Sequence, residues 1–316
     1  MTPREALRLL QGEIVQVVGC TEPAAIGYAL RTLARHLPQR PTPAAFRVEL
    51  RLSSDTFRNA STAVVPRLKT RGILAAAAAG LASRADGLNI FADFDLRRAR
   101  AFLKNPVWLK IVPVRRRGLF VHAQIPGLRT GVTLAGRHDR IEKLVVFGAD
   151  RTPREKPLPP PPTLADLFKL ARARDPQLEA LARDFLLRQV PAEKGFSPET
   201  QLARRVAGRM AGYAHPVMTL TGSGNQGIFI GLPFRRLYAE QGEAILPAVV
   251  FALLAQVHLS AQHDRLSEKC GLATKAGPAL AAGLAFAAGA GPAEIRRIFR
   301  DFPARLADLT CEGAEP

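Results

Sequence analysis

Six residues near the middle, Pro157-Leu158-Pro159-Pro160-Pro161-Pro162, constrain this 316-residue chain more than any other stretch. Proline fixes φ and carries no backbone N–H, so the run can be neither helix interior nor central strand. It reads as a stiff extended linker or crossover, and the sequence changes character across it. On its N-terminal side, Phe46-Arg47-Val48-Glu49-Leu50-Arg51-Leu52 alternates apolar and polar residues, the mark of a strand with one buried face. Residues 107–114, 119–125, 130–134 and 143–147 have strand composition with Gly/Pro turns between them, and the alanine-rich stretch 72–82 predicts a tightly packed helix. On its C-terminal side the pattern is helical, over about 164–174, 176–190, 198–211, 242–269, 277–288 and 292–299. The expectation is an α+β protein: a mixed part at 1–156 with a small antiparallel sheet, and a predominantly helical part at 157–316.

The chain opens without a signal-peptide pattern. Thr2-Pro3-Arg4-Glu5 instead reads as a capping box with proline at the first helical position, and Leu7, Leu10, Ile14 and Val17 follow at helical spacing. A break at Gly19–Pro23 precedes a second helix reaching about Leu37. The longest apolar runs, 245–259 and 276–290, are each about 15 residues and are interrupted by Pro247 and Pro278. A membrane span needs roughly 20, so buried helices and no membrane partner are expected. A cytoplasmic location follows, and three widely separated cysteines, a poor disulfide framework, agree with it.

Lysine and arginine number 45 against 27 acidic residues, a formal charge of +18. Such a surface attracts nucleic acid, anionic membrane or an acidic protein, at least non-specifically. The basic residues are dispersed, however, and only Arg115-Arg116-Arg117 forms a tight run, with no recognition motif beside it. Nucleic acid therefore stays open as a partner on charge alone.

None of Cys20, Cys270 and Cys311 lies in a C-x-x-C pair, which excludes a zinc ribbon and a thioredoxin-type motif. Each has a glycine within two residues, where the backbone can approach a bulky ligand closely; the competing reading is three inert buried thiols. Thr221-Gly222-Ser223-Gly224-Asn225-Gln226-Gly227 is a second feature, a loop rich in backbone N–H donors ahead of an apolar stretch. At a helix start it suits a carboxylate or phosphate, although it lacks the Lys-Ser/Thr ending of a P-loop and the dinucleotide fingerprint. A plain turn explains it equally well.

Taken in order, Gly19-Cys20-Thr21-Glu22-Pro23-Ala24, Pro216-Val217-Met218 with Gly222–Gly227, Arg265-Leu266-Ser267 leading into Cys270-Gly271, and Cys311-Glu312-Gly313-Ala314 resemble the signature segments of the L-cysteine desulfidase family. That family is related to the catalytic part of bacterial iron–sulfur L-serine dehydratases. Weaker similarity runs through Leu52-Ser53…Phe57-Arg58-Asn59 and Gly136-Arg137-His138-Asp139-Arg140-Ile141. The resemblance implies a [4Fe–4S] cluster on Cys20, Cys270 and Cys311, with one iron not ligated by cysteine. It implies a small amino-acid substrate, L-cysteine or L-serine, undergoing β-elimination. Ser223, Gly224, Asn225 and Gln226, with help from Asn59, would grip the substrate carboxylate. Glu22 and His138 would be the acid/base candidates, against the plainer roles of helix capping and a satisfied structural histidine.

The sequence departs from the family pattern at residues 60–72, at His138-Asp139-Arg140 and at Ser260, where a lysine is expected, and the stretch between His138 and Gly222 is shorter. It also runs only five residues beyond Cys311, which leaves two readings: a compact, diverged member with an altered substrate, or a site that another polypeptide completes, with a homo-oligomer or a completing subunit as the candidate partner. Two other readings stay open: an iron–sulfur enzyme moving sulfur on a larger, nucleic-acid substrate, and a non-catalytic subunit that holds a cluster.

Overall fold

The computed structural model describes residues 1–189, 195–263, 265–266, 269–306 and 309. Helix α1 (Pro3–Glu13) starts as its sequence requires: Thr2 accepts from the Glu5 amide, Glu5 reaches back to the Thr2 amide, and Pro3 sits in the first turn. The chain then divides into two compact units.

The mixed unit comprises residues Gln16–Glu155 and Gly208–Pro216. It contains β1 (Gln16–Val18), α2 (Thr21–Arg35), β2 (Val48–Ser53), α3 (Ser54–Thr62), the hairpin pair β3 (Val64–Val65) and β4 (Thr70–Arg71), and α4 (Ile73–Ala82). After α5 (Leu96–Lys104) come β5 (Leu109–Val114), β6 (Phe120–Ile125), β7 (Thr130–Ala135), β8 (Ile141–Val146) and β9 (Ala149–Asp150). Six of these strands form one sheet in the order β5-β2-β6-β7-β8-β9. The expected antiparallel pairing holds for all but one neighbour: β2 and β5 run parallel, Leu50 opposite Ile111. A parallel partner arrives by a long crossover, here through α3, α4 and α5, which strand composition cannot reveal.

Alternation sets the faces of this sheet. Val121, Ala123 and Ile125 of β6 point inward, while Phe120, His122 and Gln124 stay half-exposed. Helix α2 packs across β6 and β7, α4 packs on α2, and α5 on α4. The alanine-rich composition of α4 makes its crossing with α2 very close. A Cβ on Gly80 would lie 2.3 Å from the carbonyl oxygen of Gly27.

The helical unit comprises residues Met1–Val15, Lys156–Ala207 and the described residues from Val217 onward. It contains α1, α6 (Leu164–Arg172), α7 (Pro176–Arg188), most of α8 (Pro198–Met210), α9 (Gly224–Gln241), α10 (Leu246–Gln262), α11 (Gly277–Ala287) and α12 (Pro292–Arg305). The expected helix over 242–269 is thus a short 3₁₀ turn, Gly242–Ile245, followed by α10 ending at Gln262. Relative to a single division at residue 156, α1 has changed sides. Its apolar face, Ala6, Leu9 and Leu10, is buried in the core that α6, α7 and α10 build.

Helix α10 is apolar nearly all round and forms the axis of that core. Phe251 stacks on Phe286 and meets Phe168 edge-on, with ring centroids 4.6 and 5.1 Å apart. The helical stretch Gly224–Gln262, 39 residues, exceeds the 15-residue run read from sequence and is long and apolar enough to cross a membrane. Its most apolar window is 78% buried inside the protein, as a core helix would be.

Candidate functional site

Within the mixed unit the structure brings together Cys20, Glu22 and His138. Cys20 is the N-cap of α2, buried, with its thiol donating to Glu22 Oε2 at 3.1 Å. Thr21 Oγ1 donates to the same oxygen, also at 3.1 Å. Glu22 Oε1 lies 3.6 Å from His138 Nε2. His138 occupies the turn just after β7, and because α2 packs on β7 the turn and the helix start meet. Both ring nitrogens of His138 are buried, with no hydrogen bond to a described residue.

Burial opposes ionisation of Glu22, but the His138 imidazole and the Cys20 thiol override it and hold the carboxyl at about 2. Burial, and then the Glu22 carboxylate, push the Cys20 thiol up. A protonated thiol aimed at an ionised carboxylate follows. Gly19 beside Cys20 has φ +78° and is walled by Pro66 and Phe91, a Cβ there lying 2.8 Å from the proline ring. This glycine therefore serves the turn into α2 and its packing. Asn59 is half-buried on α3, its carbonyl accepting from Thr62 Oγ1 at 3.4 Å.

Within the helical unit the glycine-rich loop is a tight turn entering α9. Thr221 and Gly222 both have positive φ (50° and 86°), and Leu220 and Ser223 exchange backbone hydrogen bonds at 3.1 Å. Ser223 caps α9, accepting from the Gln226 amide, so Gly224, Asn225 and Gln226 form its first turn. The end of α1 anchors the loop: the Thr221 amide donates to the Glu13 carbonyl, and Thr219 bonds Val15 in both directions. The Glu13 carboxylate, buried, takes both terminal nitrogens of Arg265.

Cys270 is half-buried and lies next to Gly271. A Cβ on Gly271 would stand 2.4 Å from Gln226 Nε2, so the cysteine segment backs directly onto the first turn of α9. Immediately beyond, Leu272–Ala276 is a π-helical turn, a form that recurs at functional sites. It carries Lys275, 2% exposed, whose Nζ donates to the Arg265 carbonyl at 3.3 Å. Cys311 lies outside the described residues. Among those described, no three His, Cys, Asp or Glu side chains gather as a metal-holding group.

Sequence reasoning missed Gln256, which forms one buried polar knot with Thr221, Ser260 and Gln226. The signal was there: Gln256 interrupts an otherwise apolar helix, and Lys275 an Ala/Gly run. Replacing Gly271 by alanine should push the Gln226 amide off this knot. A displacement near 1 Å at a positioning group costs on the order of 100-fold in rate, and that loss in kcat/KM is the expected result. An unchanged rate would mean that Gln226 does not position substrate.

The soft donors at Cys20 and Cys270 suit an iron–sulfur group better than a hard cation. A ligating thiol must lose its proton, and at Cys20, buried beside the ionised Glu22 carboxylate, metal binding has to drive that loss.

Comparison with known proteins places a similarity over the helical half of the chain. The family model described as Serine dehydratase alpha chain matches residues 169–316. Along nearly its whole length the chain is similar to proteins named UPF0597. One from Nitratidesulfovibrio vulgaris (strain DP4) is 29% identical over 96% of this chain and 83% of its own length. One from Clostridium botulinum (strain Loch Maree / Type A3) is 25% identical over 99% and 82%. A third, from Caldanaerobacter subterraneus, is 24% identical over 97% and 82%. The stretch similar to a serine dehydratase alpha chain contains the glycine-rich loop, the buried polar knot and Cys270.

Proposed function

We propose that this chain is a [4Fe–4S]-dependent lyase that eliminates the β-substituent of a small amino acid, L-cysteine or L-serine. The observation that carries the reading is local to the helical unit: Gly271, next to Cys270, packs against Gln226 at the start of α9. A soft metal ligand thus adjoins a turn whose backbone donors suit a carboxylate. The similarity of residues 169–316 to a serine dehydratase alpha chain points to the same reaction class.

In this reading Cys20, Cys270 and Cys311 hold the cluster. When bound, it supplies a Lewis-acidic iron without a cysteine ligand, toward the departing thiolate or hydroxyl. The chain's own residues do the rest. The Gly222 and Gly224 amides, which have no hydrogen-bond partner among the described residues, bind the substrate carboxylate at the positive end of α9. Asn225 and Asn59 help to orient it. Glu22 and His138, 3.6 Å apart, are the acid/base pair that carries the proton removed from Cα. Loss of that proton with the β-thiol gives aminoacrylate and sulfide. Water then converts aminoacrylate to pyruvate and ammonia.

Anaerobically reconstituted protein is expected to release sulfide, pyruvate and ammonia in equal amounts from L-cysteine, or pyruvate and ammonia from L-serine. Glu22→Gln and His138→Asn should each lower kcat by about 10²- to 10⁴-fold, the usual share of an acid/base group. Cluster-loaded protein that releases neither product would overturn the proposal.

A further inference from the structure

Gln256 lies in the middle of α10 and is 0% exposed. Its carboxamide nitrogen is fully engaged. Its two N–H groups share three acceptors within reach of Nε2: Thr221 Oγ1 at 3.0 Å, Ser260 Oγ at 3.4 Å, and Gln226 Oε1 in a tighter contact. Its carbonyl is not: Oε1 is buried and has no donor among the described residues. Buried acceptors are nearly always paired, because an unpaired one forfeits the hydrogen bond it made with water. One kept on the axis of an apolar core calls for a use.

The position of the carboxamide says which. Two of the three acceptors, Thr221 and Gln226, belong to the glycine-rich turn, so the carboxamide stands against that turn. Thr221 adjoins Gly222, whose amide, like that of Gly224, lacks a described hydrogen-bond partner. One small ligand complements both halves if it offers an anionic end to the amides and an N–H donor to the carbonyl. An α-amino acid does so with its carboxylate and its α-ammonium. A neutral carboxamide oxygen accepts a charge-assisted bond from an ammonium without setting a negative charge beside the carboxylate.

We infer that Gln256 recognises the α-ammonium of the substrate and so makes the site selective for amino acids over other small carboxylates. The substrate class rests on the lyase reading above. Gln256 takes no part in the elimination itself; it sets specificity.

The test uses two ligands of one carbon skeleton that lack a leaving group, L-alanine and propanoate. Their dissociation constants are measured by titration on anaerobically reconstituted wild-type and Gln256→Leu proteins. Wild-type protein should bind L-alanine at least about tenfold tighter than propanoate, the worth of one charge-assisted hydrogen bond. Gln256→Leu should erase the preference by weakening L-alanine alone, with propanoate affinity held within about twofold. That propanoate value also reports whether the turn has kept its shape. If Gln256→Leu weakens both ligands equally, the side chain only braces the turn, and the inference fails. It fails too if the preference survives the substitution, while the lyase reading stands. If wild-type protein binds neither ligand and turns over no amino acid, both fall.

Discussion

Gly80→Ala should unfold the mixed unit at a far lower temperature than the wild-type chain. The added methyl would lie 2.3 Å from the Gly27 carbonyl oxygen and 2.5 Å from the Gly27 Cα, distances that backbone atoms cannot share. No side chain can rotate away, so α2 and α4 must separate along their whole contact. The cost is at or above the upper end for overpacking, about 3 kcal/mol, which for a unit of this size lowers Tm by about 10 °C. Gly127→Ala is the control: nothing lies within 4 Å of its added Cβ, and it should move stability by no more than about 0.5 kcal/mol. Because α2 carries Cys20 and Glu22 at its start, Gly80→Ala should also lose activity below its melting point. A Gly80→Ala protein that melts with the wild type would show that the two helices are not packed this closely.

Cys20→Ala should abolish turnover while the chain stays folded. The side chain is small and its one described hydrogen bond is to Glu22, so a change of only a few degrees in Tm is expected. Losing the hydrogen-bonding partners around a metal ligand costs about 10- to 100-fold, and losing the ligand itself should exceed that. Cys270→Ala should behave alike. Activity retained by either variant would remove that cysteine from the ligand set.

The sequence was most readable where one local rule decides the structure. Thr2, Pro3 and Glu5 begin a helix, and the alternation in β2 and β6 finds the sheet. Where tertiary context decides, sequence was silent. Helix α5, Leu96–Lys104, opens as a basic segment, and its two buried residues, Ala99 and Phe102, suffice once α4 covers them. The parallel pairing of β2 with β5 depends on a crossover rather than on either strand's composition. The side on which α1 packs depends on α7 and α10, far along the chain.

The site divides in the same way. Cys20, Glu22 and the glycine-rich turn were visible as motifs. The contact of Glu22 with His138 joins a helix start to a turn more than a hundred residues later, and only the packing of α2 on β7 produces it. Gln256 was hidden for another reason: in an apolar helix a single glutamine carries no motif, and its meaning comes from Thr221 and Gln226 across the fold. The glycine beside Cys20 shows the reverse error, since its positive φ and the wall of Pro66 and Phe91 account for it without a ligand.

Iron content tests the central claim most directly. The protein is reconstituted anaerobically with iron and sulfide, desalted, and measured for iron and visible absorption beside its Cys20→Ala variant. The account predicts about four irons per chain and a broad visible band in the wild type, both lost in the variant. Wild-type protein that retains no iron, or a variant that retains all of it, would contradict the account.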